Sequence, residues 1–255
     1  MDLYIRENYL KKIRGFYHAD DLIKVITGVR RSGKSSLMQM IADELKSSGI
    51  PESQIIYFDL DKREYRNVVT ADKLEALIMS KCVTDEMKYL FIDEVQNVKD
   101  FETVLNGFRT EGNWSIFITG SNSYLLSGEL VTKLTGRYIE FEIFPLNFQE
   151  YEGMKAFFGK PINSNPMIEL TNYILEGGFP RAILFDDMAD KRKYVQGVVS
   201  EIFEKDIRKR LKIKNKENFE TVRKYIINNF GATTSLNNIC DAIRKNGMPI
   251  KRSTV

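Results

Sequence analysis

Residues 28–35 constrain the fold of this chain more than any other segment. They read Gly-Val-Arg-Arg-Ser-Gly-Lys-Ser, with an apolar run before them at 22–26 and apolar residues at helical spacing after them, over 36–45. The two glycines allow a tight turn in which successive backbone N–H groups face one anion, and the positive end of the following helix adds to the attraction. The pattern therefore predicts a strand, a phosphate-binding loop and a helix, in that order.

The residue types within this loop indicate how a nucleotide would be held. Lys34 is expected to reach the terminal phosphates, and the Ser35 hydroxyl is expected to ligate Mg²⁺. Arg30 and Arg31 either raise the local positive potential or point to solvent. The predicted nucleotide-binding residues of the loop are Gly28, Val29, Arg30, Arg31, Ser32, Gly33, Lys34, Ser35 and Ser36.

A second apolar run, at 89–92, ends in Asp93 and Glu94. Such a run is typical of a strand buried on both faces, and ligands bind beyond the carboxyl ends of these strands in open α/β folds. Asp93 is predicted to hold the Mg²⁺, directly or through water, and Glu94 to be the base that polarises the attacking water. Gln96 is a candidate contact of that water or of a partner subunit.

Composition excludes several other classes of protein. The chain has 255 residues, a net charge of +3, one histidine and two cysteines, Cys82 and Cys240. A zinc site or catalytic triad built on histidines is therefore excluded, and the two cysteines are expected to be free thiols. No stretch is apolar enough to span a membrane and the N-terminus lacks a signal-peptide pattern, so we expect a cytoplasmic protein with no membrane partner.

Strand and helix patterns alternate from residue 22 to 144. Strands are predicted at 22–27, 54–59, 88–93, 114–119 and 138–144, which implies a parallel sheet with right-handed crossovers. Helices are predicted at 34–47, 70–81, 101–110 and 124–134. After residue 145 only helices are predicted, among them one at 180–186. We expect an α/β P-loop NTPase fold with a five-stranded parallel sheet, divided into a helical lead-in (1–21), a P-loop core (22–145), a helical lid (146–212) and the start of a winged helix (213–255).

The strand at 54–59 separates the loop from the acidic strand along the chain. This strand, together with a glutamate beside the magnesium aspartate, resembles the P-loop ATPases that have an additional strand and a catalytic glutamate. It argues against simple nucleotide kinases and GTPases. No Asn-Lys-x-Asp segment for reading guanine is present, so ATP is the expected nucleotide.

A polar residue after the strand at 114–119 would be placed to touch both the γ-phosphate and the water. This is the position of the sensor-1 residue in AAA+ ATPases. Ser121 is the favoured candidate, with Thr119 and Asn122 as alternatives. A turn of small polar residues with no catalytic role is the competing interpretation.

Five segments together resemble one family, the predicted AAA+-type ATPases of bacteria and archaea, which carry a winged-helix segment and a further domain of unknown function. The matching segments are 26–37, 92–96, 118–123, 134–138 and 176–180. The resemblance implies that Arg137 is an arginine finger acting on the nucleotide of a neighbouring subunit, and hence a homo-oligomer. It also implies that Pro180, in Gly-Gly-Phe-Pro, contacts nucleotide. Arg181 is either a sensor-2 arginine or an exposed helix residue.

The C-terminal part contains two features that bear on nucleic acid. Residues 205–216 include seven basic residues and one acid, which fits either a nucleic-acid contact or a solvated helix end. Residues 235–243 resemble the second helix of a helix-turn-helix, and residues 251–255 would begin its recognition helix. The chain is therefore expected to be a fragment cut inside this motif, with DNA as a candidate partner.

These patterns predict Mg²⁺-dependent ATP binding and hydrolysis by an AAA+-like ATPase, with Lys34, Glu94, Ser121 and Arg137 as the catalytic set. Hydrolysis would move the lid against the core and act on a downstream module. Two alternatives remain open at this point. One is a nucleotide-gated switch with little turnover, and the other is a DNA-binding protein that ATP regulates.

Overall fold

The computed structural model describes residues 3–120, 134, 136–209, 212–213 and 215–245. The chain divides into two compact units, Met1–Val199 and Ser200–Val255. The four segments expected from the sequence divide the chain more finely, and they stay a prediction. No helix within the described ranges combines the length and the apolar character needed to cross a bilayer.

A five-stranded, all-parallel sheet forms the centre of the first unit. Its strands are β1 (Ile23–Gly28), β2 (Ile55–Asp59), β3 (Lys88–Asp93), β4 (Trp114–Thr119) and β5 (Tyr138–Ile143). Their order in space is β2-β3-β4-β1-β5, so the predicted α/β fold is confirmed. β2 follows β1 along the chain but lies at the sheet edge, and β4 is the strand that separates β1 from β3.

Burial explains which strands take the centre of this sheet. β1, β3 and β4 are buried along their whole length, whereas β2 and β5 alternate between more and less buried positions. Strands covered on both faces need continuous apolar sequence, and edge strands do not. The two helical layers pack on opposite sets of strand side chains, with Leu37 and Ile41 in one cluster and Leu74 and Leu105 in the other.

Seven α-helices are described between the N-terminus and Glu201. They are α1 (Glu7–Ile13), α2 (Lys34–Ser47), α3 (Ala71–Lys81), α4 (Phe101–Glu111), α5 (Phe148–Phe157), α6 (Pro166–Glu176) and α7 (Met188–Glu201). α5 begins with a capping box, in which Asn147 and Glu150 each accept from the other's backbone N–H. The helix predicted at 180–186 is instead a 3₁₀ turn, Pro180–Leu184.

The helices after β5, in the segment predicted to be a lid, have a partly charged interior. Lys155 pairs with the buried Glu169, and Lys191 pairs with Glu176 at 2.7 Å. The Tyr151 hydroxyl donates to the Glu176 carboxylate at 2.9 Å. Each of these four buried charges therefore has a partner of opposite charge. An unpaired charge would be costly to bury.

The second unit contains a π-helix and two α-helices among its described residues. These are the π-helix Ile202–Lys209, α8 (Lys216–Asn228) and α9 (Leu236–Lys245). Ile239, Cys240 and Ile243 on α9 pack against Val222 and Tyr225 on α8. The predicted recognition helix, at 251–255, lies outside the described residues, and so does the helix predicted at 124–134, apart from its last residue, Leu134.

Candidate nucleotide-binding site

The loop between β1 and α2 depends on glycine at two places. Gly28 has φ +150°, and a Cβ added there would lie 2.3 Å from the Ile143 carbonyl oxygen on the neighbouring strand. Gly33 has φ +104°, a left-handed conformation that L side chains rarely adopt. Both glycines of the motif are thus required by the backbone, at the end of β1 and at the start of α2.

The N-terminus of α2 directly follows this loop. Its N-cap is Gly33, which supplies no side-chain hydrogen bond to the first turn. The first N–H groups of a helix have no intrahelical acceptors, so an uncapped end offers them to an anion. The Lys34 ammonium lies close by, 3.1 Å from the Gly28 carbonyl oxygen and 3.2 Å from that of Val29.

The acidic half of the site is assembled by the ends of β3 and β4. Asp93 is 3% exposed, and its carboxylate accepts hydrogen bonds from the Thr119 and Ser35 hydroxyls. Burial raises the pKa of Asp93 above its ordinary value, and those two hydrogen bonds act in the opposite direction. The same Thr119 hydroxyl accepts from the Glu94 backbone N–H at 3.0 Å.

Glu94 has an uncommon backbone conformation, and a hydrogen bond fixes its side chain. Its φ is +57°, which is uncommon for a residue other than glycine, and its carboxylate accepts from the Gln96 side-chain amide. Burial raises the pKa of Glu94, and the Lys34 charge lowers it. The other end of the Gln96 amide, Oε1, is buried without a hydrogen-bond partner.

Lys34, Ser35 and Glu94 line one cavity of about 350 Å³. Six of the nine predicted loop residues contribute to its wall, and Glu94 contributes from the acidic turn. Pro180, Arg181 and Tyr194 line it from the lid side. The predicted lining residues are Arg30, Arg31, Gly33, Lys34, Ser35, Ser36, Glu94 and Pro180.

A second, mostly apolar cavity of about 220 Å³ shares four lining residues with the first, namely Gly33, Ser36, Pro180 and Arg181. Its remaining wall comes from the N-terminal segment, α2 and the lid. The added lining residues are Leu3, Tyr4, Arg6, Met40, Leu146, Met154, Phe158 and Leu184. A polar, basic cavity and an apolar one therefore meet at the start of α2.

Two predicted catalytic residues are not in this cluster. Ser121 lies outside the described residues, as does its alternative Asn122. Arg137 is exposed, and its carbonyl accepts from the Ile23 N–H at the amino end of β1. Since the phosphate loop follows the carboxyl end of the six-residue β1, Arg137 lies at the opposite edge of the sheet, about 20 Å away along the strand.

Sequence reasoning missed three residues of the site. Asp61 lines the cavity two residues beyond β2, and the rule that located Asp93 at a strand end would have found it too. Tyr194 reaches the cavity from α7, and Arg6 contacts the loop from the N-terminal segment. No local pattern marks these last two, because their contacts join residues far apart in sequence.

The donor set fits Mg²⁺ bound together with a phosphate-bearing ligand. Ser35 and Asp93 supply a hydroxyl and a carboxylate that already contact each other. In the part of the chain that the structure describes, no group of three or more His, Cys, Asp or Glu side chains could hold a metal ion. Mg²⁺ typically takes one or two protein ligands and completes its shell with phosphate oxygens and water.

Comparison with curated proteins finds relatives from bacteria and archaea. The chain is 34% identical over 254 residues to an uncharacterized protein of Haemophilus influenzae, covering 98% of this chain and 62% of that protein. It is 33% identical over 239 residues to an uncharacterized protein of Methanocaldococcus jannaschii, covering 91% of this chain and 52% of that protein. The chain thus spans about half to three-fifths of these relatives.

Comparison with solved structures supports the fold. The Aeropyrum pernix ORC1 protein, solved in complex with DNA, superposes with a TM-score of 0.51 at 13% identity, covering 96% of this chain and 78% of that one. At this identity the likeness concerns the fold alone.

Family models match two parts of the chain. A domain of unknown function (DUF8612) matches residues 167–255, and the AAA domain matches residues 20–152, which include the sheet, the phosphate loop and both acids. The chain therefore belongs to the AAA domain family, whose P-loop ATPase fold it shares.

Proposed function

We propose that this protein binds Mg²⁺-loaded ATP and hydrolyses it. The observation that carries the proposal is the convergence of Lys34, Ser35, Asp93 and Glu94 on one region, with Lys34, Ser35 and Glu94 lining one cavity. A phosphoryl-transfer site needs cationic and N–H donors for the phosphates, oxygen ligands for a metal, and a carboxylate for water. The described residues supply all three.

Each residue has a defined task in the proposed reaction. The Gly33 and Lys34 backbone N–H groups and the Lys34 ammonium would hold the phosphates, and Ser35 and Asp93 would hold Mg²⁺. When bound, the metal supplies positive charge that offsets the charge on the phosphate oxygens. Glu94 would orient a water molecule and accept its proton as the water oxygen bonds to the γ-phosphorus and the bond to the bridging oxygen breaks.

The apolar cavity is the proposed site of the nucleoside. It lies at the same end of α2 as the phosphate cavity and has few polar wall atoms. Adenine suits such a cavity better than guanine, because guanine carries more polar edge groups that would be buried unpaired. This supports ATP as the nucleotide.

Arg137 and Ser121 keep the roles that the family resemblance implies. Arg137 is exposed at the far edge of the sheet, so it would act on the nucleotide of a neighbouring subunit and not on its own. Pro180, Arg181 and Tyr194 connect the cavity to the lid, which gives hydrolysis a path to lid movement and to a downstream module.

Two measurements test the proposal. Calorimetry with Mg²⁺ and ATP should detect binding to the wild type and not to Lys34→Ala. Single-turnover hydrolysis by Glu94→Gln should be about a hundredfold or more slower than by the wild type, because Gln cannot accept the proton. Glu75→Gln, an exposed change on α3, is the matched control and should change neither quantity.

The outcomes separate the proposal from its alternatives. Absence of nucleotide binding would refute it altogether. Binding with the same slow turnover in wild type and Glu94→Gln would instead indicate a nucleotide-gated switch.

A further inference from the structure

A buried arginine outside the phosphate loop holds one of the loop's peptide groups. Arg6, just before α1, is 4% exposed. Its Nη1 donates to the Ser32 carbonyl oxygen at 2.9 Å, and its Nη2 donates to the Phe144 carbonyl oxygen at 3.1 Å. Its Nε and Nη2 form a bidentate pair with the Glu150 carboxylate at 3.0 and 2.8 Å.

The contact with Ser32 fixes the direction of the next N–H group. A trans peptide is planar, with its carbonyl oxygen and its N–H on opposite sides. Because the Ser32 carbonyl points at Arg6, the Gly33 N–H points away from Arg6. Gly33 lines the phosphate cavity and is the N-cap of α2, so this N–H belongs to the donor set of the loop.

The same peptide would be easy to flip without this contact. Rotation of a peptide plane changes ψ of the preceding residue and φ of the following one. Here the following residue is Gly33, for which both positive and negative φ are accessible. Ser32 Oγ has no hydrogen-bond partner, so the side chain of Ser32 does not fix this peptide.

Glu150 keeps Arg6 in position and ties it to the lid. Its carboxylate also accepts from the Asn147 N–H at 3.1 Å, as part of the α5 capping box. A bidentate pair holds a guanidinium in one plane and direction. The Arg6 contact therefore links the start of α5, the end of β5 and the phosphate loop.

We propose that Arg6 is a positioning residue that pins the Ser32–Gly33 peptide so that the Gly33 N–H is presented to the phosphates of a bound nucleotide. The proposal rests on the nucleotide site proposed above. It assigns to the N-terminal segment a direct part in building that site, beyond its packing on α2.

The test separates this role from general stabilisation. Arg6→Met alone would leave Glu150 charged and buried, so the informative variant is Arg6→Met/Glu150→Gln, which removes both charges and keeps a capping-box residue. The matched control is Glu150→Gln, which also lacks the ion pair but leaves an amide oxygen that can accept from Arg6. With that hydrogen bond and the one to the Phe144 carbonyl oxygen, Arg6 should stay on the Ser32 carbonyl. All variants are measured well below their melting temperatures.

Two readouts are used, and one needs no nucleotide. Affinity is measured by calorimetry with a Mg²⁺-loaded non-hydrolysable ATP analogue. It should be about 10- to 100-fold weaker for the double variant and should change less than threefold for Glu150→Gln. The reason is that only the double variant loses the hydrogen bond from the Arg6 guanidinium to the Ser32 carbonyl oxygen, which orients the loop. Hydrogen exchange of residues 28–37 in the nucleotide-free protein should be faster only in the double variant.

The results distinguish the two proposals. If the wild type binds no nucleotide, the proposed function fails, whatever the exchange data show. If the wild type binds, but the double variant and Glu150→Gln have the same affinity and the same exchange in the loop, the role of Arg6 is refuted while the proposed function stands.

Discussion

Thr119 joins the two acids of the site through one hydroxyl group, and replacing it with valine removes that group with little change in shape. The hydroxyl donates to the Asp93 carboxylate and accepts from the Glu94 N–H at 3.0 Å, and Thr119 itself is fully buried. A hydrogen bond to a charged group contributes about 1.5–3 kcal/mol and a neutral one about 1 kcal/mol. Thr119→Val should therefore lower the free energy of unfolding by about 3 kcal/mol.

The effect should also depend on pH, because Thr119 lowers the pKa of Asp93. Without that hydrogen bond the folded-state pKa of Asp93 rises further above the unfolded value. The lost hydrogen bond stabilises ionised Asp93 more than protonated Asp93. Thr119→Val should therefore lose the most stability at high pH, where Asp93 is ionised, and less at low pH, where Asp93 is protonated. Urea unfolding at pH 5 and pH 8 measures both the size and the direction.

Thr119→Ser is the matched control, since it keeps the hydroxyl and loses only a methyl group. It should remain within about 1 kcal/mol of the wild type. The reasoning would be refuted if Thr119→Val unfolded within about 0.5 kcal/mol of the wild type at pH 8, or if Ser and Val lowered stability equally.

Three further predictions concern the loop, the acids and a buried lysine. Gly28→Ala should destabilise the protein by about 2–4 kcal/mol in urea unfolding, because its Cβ would lie 2.3 Å from the Ile143 carbonyl oxygen. Gly49 has φ +96° but open space around it, so Gly49→Ala should destabilise the protein by only about 1 kcal/mol. Equal losses of stability in the two variants would contradict this prediction. Asp93→Asn should raise the urea midpoint of the nucleotide-free protein, and the rise should be larger at pH 8 than at pH 5. The reason is that burial raises the pKa of Asp93, so that its charge disfavours folding above that pKa. A midpoint below that of the wild type at pH 8 would contradict this prediction. Burial lowers the pKa of Lys24 from its ordinary value of 10.5 to about 7. Between these two pH values the unfolded chain binds more protons than the folded protein does. Lys24 should therefore make the free energy of unfolding rise by up to about 1.4 kcal/mol per pH unit in this range. Lys24→Met should lack that part of the slope.

The central strands and the loop were accessible from sequence because local chemistry decides them. β3 and β4 have the predicted bounds, since both are apolar runs bounded by polar residues. α2 begins at Lys34 and ends at Ser47, as predicted, because a left-handed glycine precedes it and Ser48 and Gly49 follow. In each case the signal lies within a few residues of the element it determines.

The contacts that shape the site were not accessible in this way. Arg6 lies 26 residues from Ser32 and 144 from Glu150, and no periodicity relates these positions. The place of β2 at the sheet edge was likewise undetermined, because strand order depends on which faces the helices cover and not on the strand's own pattern. Pairings of this kind are decided by burial across the whole unit.

Several residues of the site depart from ordinary local structure, either in their backbone φ or in the burial of a charged side chain. Five described residues other than glycine have positive φ, and two of them, Arg31 and Glu94, line the phosphate cavity. Asp93 is buried and Glu94 is half-buried, and burial raises the pKa of both carboxyl groups, an arrangement that disfavours folding of the empty protein. Strained backbone and desolvated charge persist only where the surrounding structure enforces them, and they cluster at functional positions. Glu94 combines both features and lines the phosphate cavity, so it points to that cavity without reference to the loop motif or to family membership.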